Sequence, residues 1–598
     1  MMRGSALALA FLLVAGNGVR AAKITESELA QAPSARRIAG LQAEAAYTGW
    51  GAVARQLRGV AVGLYEKQRP QAQAWYYLYR WADFFSLTET QAGTNWSSAV
   101  MQAKAGTASL PKEIRTNQHQ LADFWPRELR SYAMASPDFS DQFFTLLSPL
   151  DQPSAAMSIL AGLWSRFPAE FKDYANLALA IAVVYDAPPP PDWPHAQVSP
   201  NALPRRLPPP ADVFAFFVRS DQLGATLQHL RQLPASELKF VVDTSAAFGE
   251  MVWAQKNVEA PLALLAKVYD AIHYRKDRVE GGAFMWPQPT YRLPDILQEG
   301  GICVDQAYFA AMVGKAKGVP TLLFRGAGLE GWHAWFGFLD GNGRWQLDCG
   351  RYADQKFVAG FAFDPQTWTN ISDHELMFLT EGFRRLPLFR TSRMHAQFAE
   401  LYFAAGDFPA AAKAARTAVN IESRNLDAWN LLIGAQARLG TAPLQYEALL
   451  REAARAFQRY PDVEIVYKAL LSRSLRDRGE TSAADFVDRS TAQKYEASRE
   501  DLSVKQAQEI LRRSRAAGDT GNHIRTFYGV LQSFGNGQGM DFFANIVKPF
   551  VEDMLKSDQP REAAHAVEQA RHTLRVDPHS QLEREINALA ERAHQALK

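Results

Sequence analysis

The stretch Gly300-Gly301-Ile302-Cys303-Val304-Asp305-Gln306-Ala307-Tyr308 decides the fold of the central part of the chain. Its two glycines favour a tight turn, and the apolar residues after them predict a helix that continues to Lys317, before Gly318-Val319-Pro320 ends it. Cys303 would then lie in the first helical turn. Unpaired N–H groups and the positive end of the helix dipole favour a thiolate there, as a cysteine nucleophile requires. An inert, buried cysteine is the alternative.

A β-hairpin is predicted after this helix. Thr321-Leu-Leu-Phe324 has the composition of a strand, and a glycine-rich loop follows it. Two further strands, Trp332-His-Ala-Trp-Phe-Gly-Phe-Leu339 and Arg344-Trp-Gln-Leu-Asp-Cys349, flank the turn Asp340-Gly-Asn-Gly343. The region around the helix therefore combines one helix with an antiparallel sheet.

The two faces of the hairpin differ in polarity. If the turn holds an even number of residues, His333 and Trp335 share a face with Gln346 and Asp348, and His333 meets Asp348 diagonally across the strands. This polar face would be turned toward Cys303. The opposite face is expected to be the buried one, because it carries only apolar residues and cysteine: Trp332, Ala334, Phe336, Phe338, Trp345, Leu347 and Cys349.

These motifs resemble the transglutaminase-like superfamily, a branch of the papain-like thiol enzymes. The resemblance rests on Gly-x-Cys-x-Asp-x-Ala, the helix ended by Gly-Val-Pro, His-Ala-Trp, and Trp-x-x-Asp after the turn, and it covers residues 261–352. It implies that Cys303 is the nucleophile, that His333 is the general base and then the acid, and that Asp348 orients the imidazole. The implied reaction is acyl transfer from an amide, through a thioester, to water or an amine.

Several groups are candidates for the hydrogen-bond donors of the oxyanion hole. The backbone N–H of Cys303 is one. A side chain in Trp286-Pro-Gln288-Pro-Thr-Tyr291 is the other, with Trp286 and Gln288 as the candidates, because upstream polar or indole donors serve in the enzymes that the chain resembles. Packing would explain Trp286 equally well.

No other chemistry is indicated, and we expect neither a cofactor nor a metal ion. The sequence has no phosphate-binding glycine loop followed by Lys-Ser/Thr and no paired Cys-x-x-Cys or His-Glu-x-x-His spacing. An oxidising compartment would permit a disulfide between Cys303 and Cys349. The alternation of side chains places the two sulfurs on different sides of the sheet, which predicts two free thiols.

The expected fold class is α+β, with a transglutaminase-like core of the papain-like cysteine protease type between mainly helical regions, followed by α-helical repeats. The proline-rich linker at 187–211 would be a stiff, extended spacer, since proline fixes φ and removes a backbone donor. In chain order the predicted segments are a signal peptide at 1–22, a helical N-terminal region at 23–186, the proline-rich linker at 187–211, a helical lead-in at 212–258, the transglutaminase-like core at 259–385, and a tetratricopeptide-like helical region at 390–598.

The last region contains an internal repeat with a period of roughly 34 residues, which is typical of tetratricopeptide repeats. His395, Phe398 and Gly406 recur as Trp429, Leu432 and Gly440. Small residues occupy the positions of a second helix: Ala411, Ala415, Ala418 and, later, Ala566 and Ala570. Such repeats either bind a protein partner or form a structural platform, and both remain open.

The first residues predict export. Arg3, the apolar run from Ser5 to Ala15 and the small-residue exit at Val19-Arg-Ala21 are typical of a secretory signal. We therefore expect a secreted or periplasmic protein without an integral membrane segment after cleavage. An uncleaved anchor is the alternative, although the run is shorter than the ~20 residues that span a bilayer.

Composition narrows the function further. The 598 residues carry 65 basic and 63 acidic side chains and are 47% hydrophobic, which excludes wholesale disorder and disfavours nucleic acid as a partner. The expected function is thiol-dependent hydrolysis or transfer of an amide in a peptide or protein substrate. A peptide N-glycan hydrolase or a cell-wall endopeptidase would use the same machinery. The competing class is a non-catalytic module in which an inherited core supports helical repeats that hold a protein partner.

Overall fold

The computed structural model describes residues 24–103, 118–351, 359–495, 499–536 and 538–597, except the side chains of residues 492 and 500. The predicted signal peptide at 1–22 and Tyr352, where the family resemblance ends, lie outside them. The chain is 67% helical and has one small antiparallel sheet, as expected for the α+β class. Within the described ranges, no helix is both long enough and apolar enough to cross a membrane.

The described residues form two compact units, one made of residues 24–95 and 118–145 and the other of 96–103 and 146–597. The first unit is helical, and the fully buried Trp81 at its centre packs against Phe85, Trp125 and Phe143. The helices up to the end of this unit are α1 Glu26–Leu29, α2 Ala35–Thr48, α3 Trp50–Glu66, α4 Ala72–Ser86, α5 Glu89–Ala103, the 3-10 helix Leu121–Phe124, α6 Arg127–Ala135 and α7 Pro137–Leu146.

The second unit begins with helices that lead to the predicted cysteine helix. That helix, α16, spans Cys303–Ala316, so the expected start is confirmed and the end differs by one residue. The elements before it are α8 Pro153–Arg166, α9 Pro168–Asp173, α10 Ala175–Val184, α11 Pro210–Gln222, α12 Ala235–Val242, α13 Phe248–Asn257, the 3-10 helix Leu262–Ala271, α14 Lys276–Glu280 and α15 Leu293–Glu299.

The proline-rich segment at 187–211 is packed on this unit and is not a spacer. Trp193 lies edge-on against Trp368 at 5.4 Å, and the backbone N–H of Trp286 donates to the Gln197 carbonyl at 2.9 Å. The boundary between the units falls after Thr145, not at the prolines. Proline stiffens a chain and removes donors, but the aromatic and aliphatic residues between these prolines still bury apolar area, which the expectation of a linker overlooked.

Among the described residues a five-stranded sheet follows α16, and all its pairs are antiparallel in the order β3-β2-β1-β4-β5. The predicted hairpin is its β2–β3 pair, and α16 lies against β1 and β2, where Thr321 donates to the Ala311 carbonyl at 2.8 Å. The strands are β1 Thr321–Ala327, β2 Trp332–Leu339, β3 Trp345–Cys349, β4 Phe361–Phe363 and β5 Asn370–Ser372.

The register of the hairpin corrects the predicted faces. Leu339 pairs with Trp345, so the turn holds five residues, an odd number, and the register shifts between Phe336 and Phe338. Trp335 consequently packs in one apolar cluster with Trp345 and Leu347 instead of lying on a separate polar face. Both faces of β2 are buried along most of its length, which the hairpin alone could not indicate, because elements distant in the sequence cover them.

Helices form the rest of the second unit. Gly406 and Gly440, which the repeat places at equivalent positions, both follow helices with positive φ, +77° and +65°. The elements are α17 Asp373–Thr380, the 3-10 helix Gly382–Arg385, α18 Pro387–Ala404, α19 Phe408–Ile421, α20 Leu426–Arg438, α21 Pro443–Ala456, α22 Pro461–Asp477, α23 Thr481–Tyr495, α24 Glu500–Ala516, α25 Thr520–Phe534, α26 Met540–Phe542, the π-helix Phe543–Val547, α27 Lys548–Lys556, α28 Pro560–Leu574 and α29 Gln581–Gln595.

Candidate active site

The start of α16 is held by the chain segment that follows the 3-10 helix Leu262–Ala271. Gly300 has φ +72°, a conformation that favours glycine. The N–H of Gly301 donates to the His273 carbonyl at 2.9 Å, and the Gly301 carbonyl accepts from the N–H of Arg275 at 2.8 Å. These bonds fix where the helix begins, and Cys303 is its first residue.

Asp305 organises the first turn of α16. Its carboxylate is 0% exposed and accepts from the Ile302 N–H at 2.9 Å, from the Arg278 guanidinium at 2.8 Å and from the Tyr291 hydroxyl at 2.8 Å. Burial raises the pKa of Asp305, and these donors oppose that rise. A buried carboxylate with three donors is stable only while its partners stay in place, so the turn that carries Cys303 depends on Arg278 and Tyr291.

The proline-rich segment contributes to the same network through His195. The Tyr291 hydroxyl uses its only proton toward Asp305, so its 3.1 Å contact with His195 Nε2 requires that the imidazole donate. Burial lowers the pKa of His195 to about 3, which keeps the ring neutral. His195, Tyr291 and Asp305 thus form a chain of hydrogen bonds that ends at the cysteine helix.

Cys303 is a partly exposed thiol at the edge of β2. The backbone N–H of Ala334, the residue after His333, lies close enough to the sulfur to lower the pKa of the thiol, as do the N–H groups of Val304 and of Cys303 itself. Burial nevertheless raises the pKa of Cys303 to about 11, with Asp305 adding to the rise and the N–H groups opposing it. The expectation that the helix terminus alone favours a thiolate is therefore wrong, because desolvation outweighs these donors.

His333 is buried and held in one orientation. Its Nε2 lies 2.8 Å from the Gly350 carbonyl, and its ring stacks on Trp335 at 5.9 Å. A carbonyl oxygen can only accept, so Nε2 carries the proton, and a neutral ring then has its lone pair on Nδ1. This tautomer is the one that a general base acting through Nδ1 requires.

Gly350 and Tyr269 are site residues that the sequence analysis missed. Gly350 has φ +89°, and a Cβ atom there would lie 2.5 Å from the Tyr269 ring. The Tyr269 hydroxyl donates to the Ala334 carbonyl at 2.9 Å. Tyr269 therefore connects the strand beside Cys303 with the turn that presents its carbonyl to His333. A glycine directly after a predicted strand was the available signal, since glycine permits a turn there.

Asp348 does not bind His333 in the structure. Its side chain is 58% exposed and forms an ion pair with Arg351 at 2.9 Å. Arg351 also contacts Asp373 at 3.0 Å and lies over the Trp335 ring. The register shift in the hairpin is the physical reason, because it changes which β3 residues lie across from the start of β2. The predicted orienting carboxylate is thus replaced by a backbone carbonyl.

Neither side-chain candidate for the oxyanion hole points into the site. The Trp286 indole donates to the Thr290 carbonyl at 2.8 Å and packs on Tyr291 at 5.0 Å, so packing explains it. Gln288 is exposed and its amide donates to Glu299 at 3.3 Å. The backbone N–H of Cys303, the other candidate, stays a prediction.

The remaining polar groups indicate no metal centre. Among the described residues, no group of three or more histidine, cysteine or acidic side chains could hold a metal ion. Cys303 and Cys349 are both free thiols. Burial, together with Asp348 and Asp270, raises the pKa of Cys349 to about 12.

A comparison of the chain with protein-family models and with curated proteins finds no match in either.

Proposed function

We propose that the chain is a thiol-dependent amide hydrolase or acyl transferase for peptide or protein substrates, built on a transglutaminase-like core. The observation that supports it most is the meeting of two distant motifs: the N–H of Ala334, the neighbour of His333, lies near the Cys303 sulfur and lowers the pKa of the thiol. The proposal includes tetratricopeptide-like repeats in the C-terminal region and a secreted or periplasmic location, the latter because residues 1–22 have the composition of a signal peptide.

The first half-reaction forms a thioester. His333 Nδ1 takes the thiol proton while the Cys303 sulfur attacks the amide carbonyl carbon. The C–N bond then breaks, and His333 returns the proton to the departing amine. The carbonyl of Gly350 accepts from Nε2–H throughout and stabilises the imidazolium that forms between the two transfers.

The second half-reaction removes the acyl group. His333 takes a proton from water while the water oxygen attacks the thioester carbonyl carbon. The C–S bond then breaks, and His333 returns the proton to the departing sulfur, which gives a carboxylic acid and the regenerated thiol. An amine in place of water gives transamidation. We favour hydrolysis, because water needs no dedicated acceptor site.

The start of α16 would stabilise the charge that develops on the carbonyl oxygen. The N–H groups of Cys303 and Val304 lie at the start of a helix, where unpaired donors and the positive end of the dipole favour an oxyanion. The raised pKa of Cys303 means that the resting group is a thiol at neutral pH. Proton transfer to His333 must therefore accompany the attack, which makes the imidazole indispensable.

The test uses the full chain and two cysteine variants. Peptide amides are incubated with the parent chain, with Cys303→Ala and with Cys349→Ala, and released amine is measured. We expect turnover to fall by at least about a thousandfold in Cys303→Ala, as for loss of a nucleophile, and to change less than threefold in Cys349→Ala. Equal turnover by Cys303→Ala and the parent chain would overturn the nucleophile assignment.

A non-catalytic module is the second candidate, and two observations favour it. Burial raises the pKa of Cys303 instead of lowering it, and Asp348 binds Arg351 instead of His333. The module predicts that no amide is cleaved by the parent chain. The release of amine from peptide amides therefore separates the candidates.

A further inference from the structure

The loop that precedes His333 is a tight turn supported by the C-terminal helices. The N–H of Gly328 donates to the Gly331 carbonyl at 2.7 Å, which leaves Leu329 and Glu330 at the tip. From the C-terminal side, the N–H of Leu582, in the first turn of α29, donates to the Glu330 carbonyl at 2.9 Å. The loop is thus fixed by residues about 250 positions further along the chain.

Three more contacts complete this support. The N–H of Met540 donates to the Gly328 carbonyl at 3.1 Å, and the Gln581 side-chain oxygen accepts from the Trp332 N–H at 3.1 Å. Ala327, at the end of β1, belongs to the apolar core of the C-terminal helices. Gly539 approaches so closely that a Cβ there would lie 2.5 Å from the Leu329 Cα. The backbone of the loop therefore has little freedom to move.

Two large apolar side chains remain outside this support. Leu329 is 48% exposed and Trp332 is 49% exposed, although the residues on both sides of Leu329 and the N–H of Trp332 are held by the hydrogen bonds above. Exposed apolar residues on a rigid backbone cannot withdraw from water by a loop movement. Such a surface is a pre-organised site for an apolar ligand.

The surface lies beside the thiol. Trp332 and Ala334 are two residues apart on β2, a separation of about 6.8 Å, and their side chains lie on the same face of the strand. The Ala334 N–H lies near the Cys303 sulfur and lowers the pKa of its thiol, and His333 stands between Trp332 and Ala334 in the strand. A peptide carbonyl at the sulfur would therefore have its neighbouring side chains within reach of Trp332.

We propose that Leu329 and Trp332 form the binding site for an apolar side chain of the acyl-donor peptide. This inference rests on the proposed function and specifies its substrate class. The acyl part stays attached to Cys303 as the thioester, so binding energy gained there serves both half-reactions. The C-terminal helices act as the support of this site.

The exposed area of Leu329 and Trp332 fits a single substrate side chain better than a protein partner. The exposed parts of one tryptophan and one leucine amount to on the order of 200 Å², whereas stable protein–protein interfaces bury about 1,200 Å² or more. One aromatic or large aliphatic residue of a substrate matches the smaller figure.

The test is the alkylation rate of Cys303 by peptide chloromethyl ketones, followed by intact mass. In this reaction the sulfur–carbon bond forms, chloride leaves with the bonding electron pair, and the thiol proton is lost to His333. Acetyl-Ala-Ala-Phe chloromethyl ketone is compared with the serine analogue, and iodoacetamide measures the intrinsic reactivity of the thiol. We expect the phenylalanine reagent to react about tenfold faster than the serine reagent, the ratio that corresponds to 1.4 kcal/mol.

Variants identify the surface. Trp332→Ser and Leu329→Ser should each reduce the phenylalanine preference to threefold or less and leave the iodoacetamide rate unchanged. Leu388→Ser, at an exposed leucine of α18, is the matched control and should keep the preference. Trp332→Phe should also keep it, which separates loss of the apolar surface from a general disturbance of β2.

The outcomes distinguish the two proposals. If iodoacetamide and both peptides leave Cys303 unmodified, the proposed function loses its nucleophile, and this inference is overturned with it. If iodoacetamide modifies Cys303 but both peptides react at equal rates, the thiol site stands and the apolar subsite is overturned. A preference that persists in both Trp332→Ser and Leu329→Ser also overturns the subsite.

Discussion

The core around the sheet and the helical C-terminal region are stabilised in different ways. In the core, Asp305 receives hydrogen bonds from Arg278 and Tyr291, which come from separate elements. In the repeat-like helices, polar contacts join neighbouring elements, as where Arg476 of α22 donates to Asp485 of α23. The candidate active site therefore depends on many distant segments at once, whereas each helical pair depends mainly on the next.

The two regions also differ in the burial of their ion pairs, and therefore in the free energy that is lost when one partner is removed. The Arg278–Asp305 pair is almost fully buried, while Arg512 and Glu509 form a largely exposed pair in α24. Removing one partner of a buried pair leaves an uncompensated charge and costs about 3–5 kcal/mol, but an exposed pair contributes only about 0–1 kcal/mol. Substitutions of the same type should thus have unequal effects in the two regions.

The largest expected effect is that of Arg278→Met. It removes the guanidinium from Asp305 and should lower the free energy of local unfolding around α16 by about 3–5 kcal/mol. Hydrogen-exchange mass spectrometry of peptides covering Cys303–Ala316 measures this loss. Arg512→Met is the control and should leave exchange in α24 within about 1 kcal/mol of the parent chain. Equal effects of the two variants would contradict the contrast between the regions.

The second prediction concerns pH. Asp151 and Asp186 are buried, and Gln366 donates to Asp151 at 2.9 Å. Burial raises the pKa of Asp151 to about 7, with hydrogen bonds opposing, and burial together with Asp151 raises the pKa of Asp186. The folded chain then binds protons that the unfolded chain releases above its ordinary pKa near 3.8. This stabilisation is present below pH 4 and is lost as pH rises through about 7.

Between pH 4 and 8 this pair should reduce the stability of its surroundings by about 2–4 kcal/mol. Asp151→Asn should flatten that dependence, as read from thermal unfolding midpoints across the pH range. In the helical region, Glu509 should give a pH dependence of stability with the opposite sign. Arg512 lowers the pKa of Glu509 to about 2, so the small contribution of this pair to stability is lost only on acidification. An unchanged pH profile in Asp151→Asn would show that the pair is ionised in the folded chain.

The third prediction compares two glycines with positive φ. Gly350→Ala introduces both an unfavourable φ and a clash with Tyr269, whereas Gly440→Ala introduces only the φ, because its surroundings are open. We expect a cost of about 2–3 kcal/mol for the first and about 1 kcal/mol for the second. The turnover number should fall in Gly350→Ala alone, since the carbonyl that holds His333 moves. A loss of turnover in Gly440→Ala would contradict this assignment.

The smallest expected effect is that of Asp348→Asn. The carboxylate is exposed and bound to Arg351, so its loss should change stability by less than about 0.5 kcal/mol. Turnover of peptide amides should stay within threefold of the parent chain at every pH from 6 to 9. A drop of a hundredfold or more would mean that Asp348 reaches His333 during catalysis, as the family resemblance implies.

Much of the local structure could be predicted from the sequence. The cysteine helix, its glycine turn and the β2–β3 hairpin follow from short-range rules of turn formation and apolar spacing. The pairing of His333 with Asp348 failed because the five-residue turn and the register shift together pair Phe336 with Cys349, which moves Asp348 away from the start of β2. Whether a hairpin turn holds an even or an odd number of residues is set by the backbone geometry at the turn. Residue types specify this geometry only loosely.

Position in the chain thus determined where Cys303 and His333 lie within their elements, because helix starts and strand alternation are local properties of the backbone. What surrounds them was decided by packing between distant segments: His195 from the proline-rich segment, Gly350 as the partner of His333, and Gln581 behind the loop at Trp332. Burial is a property of all these neighbours together. The pKa of Cys303 follows from it, and desolvation outweighs what the helix terminus alone would predict.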